Sequence, residues 1–107
     1  MTLEELVAIA KQYNVKNINL GGCVEGQAQG FQGAMRRSAH AHFLRWRGKE
    51  QTWGGWICVK SSKVEKLLKS DGEPNQLFWH EVSHIYRPSR TQKECDQWAW
   101  KMVRQGL

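Results

Sequence analysis

The apolar positions divide the chain into short segments that switch between helical and strand period. Leu3, Leu6, Val7 and Ala10 recur at helical spacing behind a Thr2-x-x-Glu5 capping box, which predicts a first helix over about residues 3–12. Asn14 breaks this pattern, and Val15, Ile18 and Leu20 predict a short strand before Gly21-Gly22. Gly21, Gly22, Gly26, Gly30 and Gly33 predict an irregular loop over residues 21–33 that covers or borders a cleft. It lacks the G-K-[S/T] ending of a phosphate loop. Residues 38–46 alternate by side, with Ala39, Ala41 and Phe43 facing one way and His40, His42 and Leu44 the other. Arg47-Gly48-Lys49 reads as a turn, and Trp53 with residues 56–60 as the return strand of a hairpin.

The second half is helical. Ser62 is placed to cap a short helix carrying Val64, Leu67 and Leu68, and Asp71-Gly72-Glu73-Pro74 closes it. Asn75 is the N-cap of the next helix, in which Phe78, Val82 and Ile85 form an apolar stripe at i, i+4 and i+7. Arg87-Pro88-Ser89 ends that helix. Thr91-x-x-Glu94 is a second capping box, opening a last helix over about residues 92–104 with Cys95, Trp98, Ala99, Met102 and Val103 inward. These elements predict an α+β fold in one domain spanning residues 1–107, without internal repeats.

The chemistry sits on the penultimate helix. His80-Glu81-Val82-Ser83-His84 is an H-E-x-x-H motif, and residues four apart lie on one helix face. His80 and His84 therefore offer two imidazole nitrogens to one zinc ion. Glu81 stands beside them as general base toward a zinc-activated water. Both histidines lie off the apolar stripe and so are free to face a cleft.

A catalytic zinc takes three protein ligands and leaves one position open. Glu94, at the start of a helix that folds back across a short connection, is the expected third ligand. It also stands at the N3 position of the capping box, where a glutamate serves the backbone alone, and one carboxylate does not readily do both. Asp96 is the next candidate, followed by His40 and His42, either of which is also placed to contact an oxyanion. Cys95 is a soft donor by type, but Ala99 and Met102 at i+4 and i+7 mark it as a small buried hydrophobe.

Composition narrows the setting. Cys23, Cys58 and Cys95 are odd in number and widely spaced, with no C-x-x-C pair, which argues against a disulfide framework and for a reducing compartment. The opening MTLEELVAIAKQ has acids where a signal peptide needs bases, and no long apolar run follows, so a soluble, cytoplasmic protein away from membranes is expected. The net charge is +6, divided as −1 over residues 1–35 and +7 over residues 36–107. That basic half suits an acidic protein or nucleic-acid partner, although no aromatic–basic platform or recognition helix stands out. Six tryptophans are expected to fill much of a modest core.

HEVSH followed by Glu94-Cys95-Asp96-Gln97-Trp98-Ala99 resembles the gluzincin zinc metallopeptidases. The likeness is greatest to the single-domain minigluzincins and the ImmA/IrrE type, whose following helix carries E-A-N/D-x-F-A. SprT-like proteases, with H-x-x-x-W, are a weaker match. The resemblance covers residues 38–104, with Cys for Ala and Trp for Phe and a short link from His84 to Glu94, and a domain that reaches its partner alone, without a downstream regulatory domain, is expected. It implies a small antiparallel-rich sheet with an N-terminal helix, an active-site helix and a C-terminal glutamate helix. It further implies zinc on His80, His84 and Glu94, and peptide hydrolysis assisted by Glu81. A protein substrate would be held by strand addition to an edge strand, here residues 56–60. Two other classes fit the residues: a latent zincin acting as a regulatory module, and a basic nucleic-acid-binding domain.

Overall fold

The computed structural model describes residues 1–21, 39–45 and 52–105. In chain order these form helix α1 (Leu3–Lys11), strands β1 (Val15–Leu20), β2 (Ala39–Arg45) and β3 (Thr52–Val59), a 3-10 turn (Val64–Leu67), and helices α2 (Gln76–Tyr86) and α3 (Gln92–Gln105). The expected glycine loop beyond Gly21, Cys23, and the Arg47-Gly48-Lys49 turn lie outside the described residues.

Local chemistry sets most boundaries. At α1, Thr2 Oγ1 accepts from the Glu5 N–H and the Glu5 carboxylate accepts from the Thr2 N–H. Asn14, in the left-handed region at φ 69°, then turns the chain out of α1 and into β1. Asn75 caps α2, its Oδ1 accepting from the Phe78 N–H at 3.0 Å while its amide donates to the Lys66 carbonyl at 2.8 Å. The turn before it is tied by Asp71, which accepts from the Glu73 N–H. The expected short helix is only the 3-10 turn. Its N-cap is Lys63, without a side-chain cap, and the nearby Ser61 hydroxyl accepts from the Lys63 N–H.

The architecture is α+β, but the sheet is mixed rather than antiparallel-rich. Its order is β1-β3-β2, with β1 parallel to β3 and β2 antiparallel to it. The β2–β3 pairing is the expected hairpin relationship; the parallel pairing of β1 was not expected. The register slips between Val15 and Asn17, opposite Gly55 and Trp56. Gly54 has φ 104°, and a Cβ there would meet the Asn14 carbonyl oxygen at 2.5 Å. Only glycine lets the backbone approach this closely, and the Gly55 N–H donates to that same oxygen at 3.1 Å.

β3 is the central strand, so the expectation that residues 56–60 form a substrate-binding edge is corrected: both edges of β3 are already hydrogen-bonded to neighbours. Among the described residues the sheet edges belong to β1 and β2. The helix α2 packs on β2 and β3, and α3 packs on α2. The stripe Phe78, Val82 and Ile85 is fully buried, in one cluster with Leu6, Ile18, Ile57, Leu67 and Met102. Tyr13 at the end of α1 sits edge-on to Trp79 and Tyr86 of α2 and to Trp98 of α3, so one aromatic group clamps all three helices. The tryptophans are not all interior: Trp56 and Trp79 are buried, whereas Trp100 is 52% exposed.

Candidate metal centre

The motif sits mid-helix in α2, where rotation by about 100° per residue separates the apolar stripe from the histidines. His80 is 7% exposed and Glu81 5%, so both polar groups are held inside the fold. His84, one turn on, is half-buried. The two histidines face the first turn of α3, brought back by the short connection after Arg87. That connection is fastened by Arg90, which donates to the buried Ser83 hydroxyl at 2.8 Å. The Arg87 guanidinium lies over the Tyr86 ring at 3.8 Å.

The two imidazoles converge. Nε2 of His84 lies 3.1 Å from Nε2 of His80. Two nitrogens each about 2.0–2.1 Å from a tetrahedral zinc stand roughly 3.3 Å apart, so the pair is already at near-ligand spacing. On its other side His80 is oriented by Asp96, whose Oδ1 accepts from Nδ1–H at 2.6 Å. Asp96 is itself held by Gln76, which donates to the same oxygen at 2.7 Å. A carboxylate behind a ligating histidine fixes the tautomer and raises the basicity of the nitrogen facing the metal. The outer nitrogen of His84 lies 3.5 Å from Cys95 Sγ. Burial pushes the Cys95 thiol up from its ordinary pKa, which keeps it neutral.

Glu94 is not brought to this pair. Its carboxylate accepts from the Thr91 N–H at 3.0 Å while its own N–H donates to Thr91 Oγ1 at 3.2 Å, and the residue is exposed. The capping box takes the carboxylate that zinc would need. These backbone and side-chain bonds to Thr91, with the Arg90 charge nearby, hold the Glu94 carboxyl below its ordinary pKa. Asp96, the second candidate, stands behind His80 rather than in front of it. His40 and His42 lie on β2 opposite Cys58 and Trp56, and their side chains lie outside the described structure. Among the described residues, no group of three His, Cys, Asp or Glu is placed to hold a metal ion.

The atom in front of the pair is the amide oxygen of Gln92, 2.7 Å from His80 Nε2 and 3.1 Å from His84 Nε2. Sequence reasoning passed over it because a glutamine at the first position of a helix carries no metal signature. The only available signal is its spacing, since Gln92 and Asp96 are i and i+4 on α3 and face His80 together.

No described helix is long and apolar enough to cross a membrane. Comparison of the chain with protein-family models, curated proteins and solved structures finds no match to any of them.

Proposed function

We propose that this chain is a zinc-dependent peptidase domain of gluzincin type, hydrolysing peptide bonds in a protein substrate. The support comes above all from the His80–His84 pair, with Nε2 atoms 3.1 Å apart and Asp96 behind His80. With Nδ1–H of His80 donating to Asp96, its Nε2 is the nitrogen turned to His84 and to the Gln92 amide, 2.7 Å away.

A bound zinc ion supplies Lewis-acid chemistry, lowering the pKa of water toward neutrality and polarising the scissile carbonyl. The chain's own residues do the rest. His80 and His84 would hold the ion, and Asp96 would keep His80 in the ligating tautomer. Glu81, adjacent to His80 and buried, takes the proton of the attacking water and returns it to the leaving amine. The helix pair α2–α3, rigid through its aromatic clamp, keeps these groups in fixed relation.

The test is cleavage of denatured casein by the zinc-loaded chain beside Glu81→Gln. The expected result is cleavage by the wild type and none by the variant, with the same zinc content in both. Equal cleavage by Glu81→Gln would end the assignment of Glu81 as base, and no cleavage by a zinc-loaded wild type would end the peptidase reading.

A further inference from the structure

We infer that Gln92, not Glu94, supplies the third protein donor to a divalent cation held by His80 and His84; this rests on the metal-binding reading given above. The three atoms Nε2 of His80, Nε2 of His84 and Oε1 of Gln92 form a closed triangle with sides of 3.1, 2.7 and 3.1 Å. With both Nε2 atoms unprotonated and the amide oxygen turned to them, each apex presents a lone pair, and the triangle has the shape of one face of a ligand tetrahedron. The 2.7 Å side is a hydrogen-bond length and would open slightly around an ion.

Helical geometry explains why these two residues part company. Residues two apart on a helix are separated by about 200° of rotation, so Gln92 and Glu94 cannot face the same partner. Gln92 shares its face with Asp96, and the two meet His80 on its opposite nitrogens. Glu94 is turned to Thr91, and its carboxylate closes the backbone of the first turn.

The chemical consequence is a neutral donor set. Two imidazoles and an amide leave the ion with its full double charge, whereas a His₂Glu set removes one unit. Imidazole nitrogens suit zinc, cobalt and nickel, while an amide oxygen is a harder and weaker donor to these ions than a carboxylate. The site therefore binds zinc less tightly than a His₂Glu site and leaves more positive charge to attract a carboxylate or carbonyl of the substrate.

The experiment is zinc titration by calorimetry on the full chain, with circular dichroism to confirm folding, for the wild type, Gln92→Ala, Gln92→Glu, Glu94→Gln and His84→Ala. Cobalt(II) absorption gives an independent view of the donor set. Gln92→Ala is expected to weaken zinc by about tenfold or more, the range in which even indirect support of a ligand is felt. Gln92→Glu is expected to tighten it. Glu94→Gln, which preserves a capping box, is expected to leave both affinity and cobalt spectrum unchanged. Zinc that is lost in His84→Ala but unaffected by Gln92→Ala, or weakened by Glu94→Gln, overturns the Gln92 assignment and leaves the metal reading standing. A wild type that binds no zinc overturns both.

Discussion

Asp96 and His80 meet at 2.6 Å across the α2–α3 interface, and that contact decides which way the histidine points. With Nδ1–H donating to Asp96, Nε2 is turned to His84 and Gln92, so the carboxylate on one helix sets the coordinating edge of a ring on the other. Asp96→Asn preserves the shape but exchanges an ionised acceptor for a neutral amide. Zinc affinity, measured by competition with a chromophoric chelator, is expected to fall about 10- to 100-fold. An unchanged affinity would mean that the contact does not orient the ring.

Two groups predict opposite limbs of a stability–pH profile. The Glu94 carboxyl is held below its ordinary pKa by its bonds to Thr91, so its contribution is present above the unfolded value and is lost as pH falls. That loss begins near the ordinary glutamate value of about 4.3. Cys95 is raised by burial, so its contribution is full below the unfolded thiol value of about 8.5 and declines as pH rises above it. Urea unfolding across pH should show both slopes. Glu94→Ala should reduce the acid slope without removing it, because the Glu5 and Asp71 carboxyls are also held low by backbone bonds, and Cys95→Ala should reduce the alkaline slope alone.

Gly54 is predicted to be intolerant of any side chain. At φ 104° a left-handed conformation costs a non-glycine residue about 1–3 kcal/mol, and the Cβ contact with the Asn14 oxygen at 2.5 Å adds to that. Gly54→Ala should lower the urea midpoint substantially, while alanine at Gly21, whose Cβ would meet only Ser62 at 3.9 Å, should cost only its backbone strain. Equal losses at the two positions would contradict the account of the β1–β3 crossing.

The helices were legible because their signals are local. Thr2 with Glu5, Asn75, and Thr91 with Glu94 each act within one turn, and the Phe78–Val82–Ile85 stripe needs only the helical period to identify a buried face. The α+β class and the β2–β3 antiparallel pair follow from the same kind of pattern. The place of β3 at the centre was not legible, because the apolar residues Val15, Ile18 and Leu20 mark a strand without naming its neighbour or direction. Glu94 was open to two readings because a capping glutamate and a ligating one are the same residue at the same position until the facing helix is known. Gln92 and Asp96 acquire their meaning only from the turn of α3 against α2. Trp100 shows the limit of composition, since its bulk favours burial while its place on α3 leaves it exposed.

The proposition beneath all of this is that His80 and His84 grip one divalent cation. Equilibrium dialysis of the full chain against micromolar zinc, with metal measured by mass spectrometry, tests it most directly. The account predicts one zinc per chain in the wild type and in Glu81→Gln, and none in His84→Ala. A folded wild type that emerges without zinc, or a His84→Ala variant that carries as much, would contradict it.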